Sequence, residues 1–145
     1  MQKYLAFMKS KTEVSALPEL HFFDGTEGDL HPDTMAMASF PRSGNTMLRA
    51  YLERITGIVT GSDVDIELGL NAALMEEGLE GEGMIDSRVW VVKTHYPERH
   101  GVCMYFPKRC VMVLRDPIDC IPSLFHLTLT DSHDLSVIDE DFFTF

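Results

Sequence analysis

The sequence contains no apolar run long enough to cross a lipid bilayer. Its first residues, MQKYLAFMKSKTEV, are also too polar to form a secretory signal. We therefore predict a chain without a membrane segment that is cytoplasmic by default. A Golgi location stays open, because a longer form of the protein could carry an anchor.

Cysteine is scarce, and its pattern excludes the common zinc sites. The three cysteines, Cys103, Cys110 and Cys120, form no CxxC pair, and their number is odd. They fit buried thiols in a reducing compartment. His126 and His133 are further candidate ligands, but no third ligand is spaced to complete a site with them. We predict no metal site.

Positive charge is scarce as well, since 12 Lys and Arg residues stand against 23 Asp and Glu residues, for a net charge of −11. This charge argues against nucleic acid as the main partner, because binding to phosphate backbones depends on cations. Nine of the 12 cations lie between Arg42 and Arg115, and none follows Arg115. An acidic protein with one basic cleft suits a small polyanionic ligand.

The composition is that of one soluble globular domain, with 145 residues of which 45% are hydrophobic. Proline and glycine punctuate residues 1–33, which we predict to be an irregular lead-in. The chain stops at DEDFFTF without a closing element. We therefore expect a single but incomplete domain over residues 1–145, with the C-terminal part of its fold missing.

Three short apolar runs predict strands, at residues 34–40, 89–95 and 110–114. The second and third runs are continuously apolar, the pattern of strands that are covered on both faces. Helical stretches follow the first and third runs. Together they predict an α/β domain with a mainly parallel sheet flanked by helices.

The first helix is predicted to begin at Thr46 and to end before Gly57, a natural stop. Charged residues lie off its apolar face, among them Arg49, Glu53 and Arg54. The apolar face is formed by Met47, Leu48, Tyr51, Leu52 and Ile55.

Two further helices are predicted from spacing and capping residues. One lies within residues 57–88, with Ser62 as its N-cap. The other follows Arg115, with Asp116 as cap, Pro117 in the first turn and Pro122 as a kink. The helix within residues 57–88 is indicated by the helical spacing of its apolar residues Ile66, Leu70, Ala73 and Leu74.

Polar side chains follow each predicted strand. Arg42, His95 and Arg115 come just after the last apolar residue of the first, second and third strands. Parallel α/β sheets bind their ligands beyond the carboxyl ends of the strands. We therefore expect these three side chains to share one edge of the sheet.

The stretch PRSGNT, residues 41–46, follows the first strand and opens the first helix. Backbone N–H groups of Ser43, Gly44, Asn45 and Thr46 would face an anion there, aided by the helix dipole and by the cation of Arg42. The Walker pattern requires a lysine directly after its last glycine, whereas Asn45 occupies that position. The alternative is a plain turn capped by Ser43 or Asn45.

The stretch VVKTHYPE places Lys93 and His95 two residues apart at a strand end. In an extended segment, both side chains lie on the same side. A histidine suits proton abstraction from a hydroxyl, and a nearby lysine suits developing negative charge. The alternative is an ordinary strand-end histidine beside a solvated lysine.

The stretch VLRDPIDCIPS places Ser123 eight residues after Arg115. Two turns into the next helix, Ser123 shares a helical face with Asp116 and Asp119 and can point back at the arginine. Arginine and serine together could hold a second phosphate. The alternative is an ion pair of Arg115 with Asp116 or Asp119 at the helix start.

In this order the three motifs resemble the sulfotransferase family, and most of all the sulfotransferase domain of WSC-domain-type proteins. The family's phosphosulfate loop is similar to PRSGNTM at residues 41–47, and its KTH element to residues 93–95. Its arginine followed eight residues later by serine matches Arg115 and Ser123. The resemblance covers about residues 34–130 and implies a P-loop-type fold with these residues as a nucleotide-binding core.

The resemblance implies 3′-phosphoadenosine 5′-phosphosulfate as co-substrate, without a metal. Met47 stands where many members of the family have tryptophan, which removes a stacking surface for adenine. Arg115 and Ser123 would hold the 3′-phosphate. The other cofactor-binding residues that the resemblance implies are those of the phosphosulfate loop, Arg42, Ser43, Gly44, Asn45 and Thr46, together with Met47.

The resemblance also implies catalytic roles. His95 would deprotonate an acceptor hydroxyl or amine, while Lys93 and Arg42 would stabilise the transferring group and the leaving oxygen. The acceptor stays open between a carbohydrate, a protein and a small alcohol. Two alternatives remain, an inactive or truncated nucleotide-binding module of the same fold and, less favoured, a kinase-like P-loop protein.

Overall fold

A computed structural model describes residues 18–23, 25, 28–29, 33–65, 70–97 and 101–130. The predicted end at DEDFFTF and residues 1–17 of the predicted lead-in lie outside this part of the chain. The elements are the strands β1 (Met35–Ser39), β2 (Gly61–Ser62), β3 (Val91–His95) and β4 (Arg109–Val113), and the helices α1 (Asn45–Thr56), α2 (Leu70–Glu76) and α3 (Pro117–Thr130).

The four strands form one sheet in the order β2-β3-β1-β4. Each of the three neighbouring pairs is parallel. The predicted α/β fold with a mainly parallel sheet is therefore confirmed, while its P-loop type stays a prediction. Ser39 is aligned with His95 on one side and with Val113 on the other, so the strands β1, β3 and β4 end at the same level.

The central strands are buried and the edge strand β4 is not. Val91 and Val92 of β3 are fully buried, as predicted for a strand covered on both faces. The same prediction is wrong for β4, where Val111 and Met112 are exposed. An edge position does not by itself explain this, because the other edge strand β2 is buried; the described residues do not cover the faces of β4. The hydrophobic core consists of Ala36, Val59, Val89, Val92 and Tyr105, with Leu20, Phe22, Met84 and Ile85 packed against it.

Helix α1 has the predicted bounds but not the predicted buried face. Gly57 ends it with a left-handed φ of 73°, and its N–H donates to the Glu53 carbonyl at 2.7 Å. The buried residues are Asn45, Arg49 and Glu53, whereas Ile55 of the predicted apolar face is 78% exposed. The prediction that Arg49 and Glu53 lie off the buried face is therefore wrong.

A polar network explains why α1 buries its charged face. Arg49 donates to the hydroxyl and to the carbonyl of Thr60, each at 2.9 Å, and forms an ion pair with the fully buried Glu82. Glu53 accepts the N–H and the hydroxyl of Thr60 at 2.8 and 2.7 Å. The neighbouring Gly81 lies so close to the Thr60 carbonyl that a Cβ would collide with it. We call Arg49, Glu53, Thr60 and Glu82 the inner cluster.

The segment between α1 and β3 departs from its prediction at one point. A helix is present, but Ser62 is not its cap, because Ser62 lies in β2 and its N–H donates to the Met84 carbonyl at 3.1 Å. Ile66 of the predicted spacing lies outside the described residues. In the predicted lead-in, His21 forms a parallel bridge with Ile58.

Helix α3 begins as predicted. Asp116 caps it, since its carboxylate accepts the N–H of Ile118 at 2.8 Å, and Pro117 is its first residue. The helix continues through Pro122 to Thr130. Among the described residues, no helix combines the length and the apolar character that crossing a membrane requires.

Candidate functional site

The predicted site residues gather at the edge where β1, β3 and β4 end. The loop that contains Arg42 follows β1, His95 is the last residue of β3, and Arg115 follows β4 by two residues. Because β1 lies between β3 and β4, the order of the strands reverses around it. Ligands of open α/β sheets bind at such a reversal.

The loop after β1 is a tight turn that leads into α1. The N–H of Ser43 donates to the Phe40 carbonyl at 3.2 Å, so it does not face an anion as predicted. Arg42 and Gly44 have left-handed φ angles of 70° and 96°. Gly44 is required by this angle rather than by close approach, because the nearest atom to a Cβ there would be Met47 Cε at 3.8 Å.

The N-terminus of α1 is not capped by a side chain. The alternative of a turn capped by Ser43 or Asn45 is therefore wrong. Asn45 turns its side chain inward, where its amide donates to the carbonyl of Met37 at 2.8 Å. The N–H groups of the first helical turn and the helix dipole thus favour an anion at this end.

Arg42, Arg115 and Ser123 lie together beside this helix start, and we call them the edge cluster. Arg42 Nε donates to Ser123 Oγ at 2.8 Å, and Arg115 Nη1 donates to the Arg42 carbonyl at 3.1 Å. The alternative ion pair is present too, with Arg115 Nη2 3.5 Å from the Asp119 carboxylate. Their side chains are 44% and 62% exposed, so this pair contributes little stability.

The electrostatics of the edge cluster favour a bound anion. Burial and, second, the charge of Arg115 lower the pKa of Arg42. An anion that binds beside Arg42 favours its charged form and so offsets both effects.

His95 is oriented through its Nδ1 atom. This atom lies 3.2 Å from the Ser39 carbonyl and 3.3 Å from the Ser39 hydroxyl. A carbonyl can only accept a hydrogen bond, so we assign the proton to Nδ1. Nε2 then carries the lone pair that a general base requires.

Lys93 does not reach the edge as predicted. It is only 6% exposed, and the charges that act on it are those of Glu82, Arg49 and Asp63. Burial lowers the pKa of Lys93, while the carboxylates of Glu82 and Asp63 oppose this effect. The structure thus brings His95 to the sheet edge and keeps Lys93 in the interior behind it.

The remaining predicted residues line the same loop. Met47 is exposed and Thr46 is partly exposed on the first turn of α1. The hydroxyl of Ser43 contacts the thiol of the buried Cys120 at 3.6 Å, which ties the loop to α3. Sequence reasoning predicted Cys120 to be a buried thiol but did not connect it with the loop, and it missed Ser39, although Ser39 ends β1 at the level at which His95 ends β3.

Within the described residues, no group of three or more His, Cys, Asp and Glu side chains could hold a metal ion. His126 lies in α3, and His133 lies outside the described part of the chain. The groups at the sheet edge are the cations of Arg42 and Arg115, the carboxylate of Asp119, the hydroxyls of Ser39 and Ser123 and the imidazole of His95. These groups can bind a polyanion and accept a proton.

No protein-family model matches the chain, and no solved structure matches it. Three curated relatives match part of it. WSCD family member CG9164 of Drosophila melanogaster is 36% identical over 96 residues, which are 66% of this chain and 28% of that protein. WSCD family member GA21586 of Drosophila pseudoobscura pseudoobscura is 37% identical over 95 residues, which are 66% of this chain and 28% of that protein. WSCD family member AAEL009094 of Aedes aegypti is 37% identical over 92 residues, 63% of this chain and 26% of that protein.

These relatives correct the family predicted from the motifs. Their names place them in the WSCD family, and none of the names mentions a sulfotransferase. The assignment to the sulfotransferase family is therefore wrong as stated. The chain spans less than a third of the length of these relatives. It is similar, over about two thirds of its own length, to WSCD family members.

Proposed function

We propose that this chain transfers a sulfuryl group from 3′-phosphoadenosine 5′-phosphosulfate to an acceptor hydroxyl or amine. The observation that carries the proposal is the edge cluster beside the uncapped start of α1. The edge cluster and the start of α1 offer two neighbouring places for anionic groups. A co-substrate with phosphates at both its 3′ and 5′ positions requires two such places. His95, whose ring nitrogen Nε2 is assigned the lone pair, ends the adjacent strand.

The co-substrate would be held by two sets of groups. The N–H groups at the start of α1 and the side chain of Arg42 would bind the 5′-phosphosulfate. Arg115 and Ser123 would bind the 3′-phosphate, since an arginine and a hydroxyl both donate to phosphate oxygens. Met47 is exposed on the first turn of α1 and would border the adenine.

The transfer itself would follow from the position of His95. Its Nε2 would accept the acceptor's proton while the acceptor oxygen or nitrogen forms a bond to sulfur. The bond between sulfur and the bridging phosphate oxygen breaks, and 3′-phosphoadenosine 5′-phosphate leaves. Arg42 would stabilise the negative charge that develops on this leaving oxygen. The acceptor itself is a carbohydrate, a protein or a small alcohol.

Asn45 argues against a kinase-like P-loop protein. It takes the place of the Walker lysine, and its side chain is turned into the interior rather than toward a phosphate. The chain therefore has no lysine in the position from which a Walker lysine reaches the β- and γ-phosphates of a nucleoside triphosphate.

A second candidate function is a nucleotide-binding module without turnover. The burial of Lys93 favours it, because this residue, predicted to be catalytic, faces the interior charges of Glu82 and Asp63. In this case the edge cluster would bind the nucleotide and His95 would have no acceptor to deprotonate. The two functions differ in transfer activity and not in nucleotide binding.

Thermal unfolding in the presence of ligands tests the nucleotide. A ligand that binds the native state at 100 times its Kd stabilises it by about 2.7 kcal/mol. We expect 3′-phosphoadenosine 5′-phosphate to raise the Tm and ATP with magnesium to raise it much less. A larger shift with magnesium-ATP would overturn the proposal.

Substitution of His95 tests the transfer. We expect His95→Ala to lower the transfer rate by about 10²–10⁴-fold, the usual contribution of a positioned general base. The affinity for 3′-phosphoadenosine 5′-phosphate should stay nearly unchanged. His21→Ala is the control, because His21 is an exposed histidine outside the strands and loops that form the sheet edge. Equal turnover by wild type and His95→Ala would remove His95 from the mechanism and favour the second candidate.

A further inference from the structure

Asn45 connects the start of α1 to the ends of two strands. Its side-chain amide donates to the Met37 carbonyl at 2.8 Å, to the Ser39 hydroxyl at 3.0 Å and to the Thr94 carbonyl at 3.3 Å. Met37 and Ser39 belong to β1, and Thr94 belongs to β3. Asn45 is also the first residue of α1, where the proposed anion site lies.

The orientation of the Asn45 amide follows from its partners. Two of them are carbonyl groups, which can only accept, so the nitrogen and not the oxygen must face them. The amide oxygen is buried, and among the residues that the structure describes it has no hydrogen-bond partner. Leaving a buried acceptor unsatisfied costs free energy. The contacts of the amide nitrogen are what offset this cost.

The chain of contacts continues from Asn45 to His95. The Ser39 hydroxyl, which accepts from Asn45, lies 3.3 Å from His95 Nδ1, and the Ser39 carbonyl lies 3.2 Å from the same atom. Ser39 is 2% exposed, so its hydroxyl is held in this place by protein and not by solvent. The imidazole ring is thus oriented by a residue that Asn45 itself orients.

We propose that Asn45 and Ser39 are positioning residues that hold His95 in register with the anion-binding start of α1. The proposal rests on the proposed function, in which His95 is the general base. Through these contacts the turn that binds the phosphosulfate and the base that activates the acceptor become one rigid unit. A misplacement of about 1 Å can cost about 10²-fold in rate, so such a connection matters for transfer.

The chain offers a matched control for each position. Asn71 is as buried as Asn45 and also donates from its amide to backbone carbonyls, those of Val64 and Asp65, in another part of the fold. Ser62 is a fully buried strand serine like Ser39, but its hydroxyl accepts from the N–H of Val64. Replacing either control residue removes the same chemical group away from His95.

The test compares Ser39→Ala and Asn45→Ala with Ser62→Ala and Asn71→Ala. The ¹⁵N chemical shifts of the His95 ring report which nitrogen carries the proton and need neither ligand nor turnover. We expect a single Nδ1-protonated form in the wild type and in both controls. Ser39→Ala removes the hydroxyl contact of Nδ1 and Asn45→Ala releases it, so both should move the Nδ1 shift away from its wild-type value, while the Ser39 carbonyl keeps the proton on this atom.

The kinetic readout separates positioning from binding. We expect Ser39→Ala to lower kcat by roughly ten- to hundredfold while the affinity for 3′-phosphoadenosine 5′-phosphate stays unchanged. If Asn45→Ala does not fold, Ser39→Ala alone decides the question. Wild-type ring shifts in Ser39→Ala would overturn the proposal. Absence of nucleotide binding by the wild type would instead refute the proposed function, while the ring shifts would still decide the positioning role.

Discussion

Two arginine clusters in this protein use the same side chain in opposite ways. In the inner cluster, Arg49 is 0% exposed and is bound by the carboxylate of Glu82 and by both oxygens of Thr60. In the edge cluster, Arg42 Nε donates to the neutral hydroxyl of Ser123, and the neighbouring charge is the like charge of Arg115. The first arginine is neutralised within the fold, and the second is placed next to another cation.

This difference between the two clusters indicates which of them binds a ligand. A buried arginine that is paired with a carboxylate holds elements together, and removing one partner leaves an uncompensated charge. The charge of Arg115 disfavours the charged form of Arg42 and contributes nothing to stability by doing so. Their arrangement makes sense when an anion completes it. Substitutions in the two clusters should therefore separate stability from ligand binding.

The largest effect is expected in the inner cluster. Arg49→Ala should lower the free energy of unfolding by about 3–5 kcal/mol, because it leaves the Glu82 carboxylate buried without its partner. Denaturation with urea, followed by circular dichroism, measures this loss. Arg54→Ala, an arginine of the last turn of the same helix, is the control.

A double variant sharpens this result. Replacing both partners, as in Arg49→Met with Glu82→Met, should recover part of the loss, because a buried ion pair can often be replaced by apolar residues at little cost. A loss in Arg49→Ala no larger than that in Arg54→Ala would contradict a structural role for the inner cluster.

The next effect is expected on binding, in the edge cluster. Arg115→Ala should weaken the binding of 3′-phosphoadenosine 5′-phosphate by about 1.5–3 kcal/mol, the range for a hydrogen bond to a charged group. Isothermal titration measures the affinity, and stability should hardly change because Arg115 is 44% exposed. Arg109→Ala is the control, since Arg109 is an exposed arginine at the opposite end of β4. Unchanged affinity would mean that Arg115 serves only its ion pair with Asp119.

A pH-dependent effect is expected from Lys93. Burial lowers its pKa below the usual 10.5, so over the pH range just below 10.5 the unfolded chain binds more protons at this residue than the native protein does. The contribution of Lys93 to the free energy of unfolding should therefore rise with pH in that range. Urea denaturation at several alkaline pH values should show this rise in the wild type and not in Lys93→Met. The control variant Lys108→Met, which replaces an exposed lysine, should still show the rise. An identical pH profile for Lys93→Met and wild type would contradict the expectation.

The sequence predicted the elements better than the faces they bury. The bounds of β1, β3, β4, α1 and α3 were predicted to within a few residues, because apolar runs and the signals of Gly57 and Asp116 are local. The buried face of α1 was wrong because its partners are not local. Arg49 binds Thr60, which lies 11 residues further along the chain, and Glu82, which lies 33 residues further. A signal was present, since Asn45, Arg49 and Glu53 recur every four residues along one face of α1.

The site was predicted in its location but not in its detail. The carboxyl ends of parallel strands lie at one edge of a sheet, and this rule predicted that Arg42, His95 and Arg115 share an edge. The parallel register of β1 with β3 and β4 agrees with this prediction. The two-residue spacing of Lys93 and His95 could not reveal that the lysine is buried among Glu82, Arg49 and Asp63. Burial depends on the segment that covers a strand, and spacing along that strand carries no information about it.

The smallest effect is expected from Asp119, whose carboxylate lies 3.5 Å from Arg115. An exposed pair at this spacing contributes about 0.3–0.5 kcal/mol to stability, so Asp119→Asn should lower the free energy of unfolding by no more than that. The same change should strengthen the binding of 3′-phosphoadenosine 5′-phosphate, because Arg115 then has no carboxylate to exchange for a phosphate. Both effects should diminish as salt screens the exposed charges. Titration at low and high salt measures them, with Glu80→Gln, which removes one exposed carboxylate elsewhere, as the control. Weaker binding by Asp119→Asn would contradict this competition, because it would show that the ion pair orients Arg115 for its ligand.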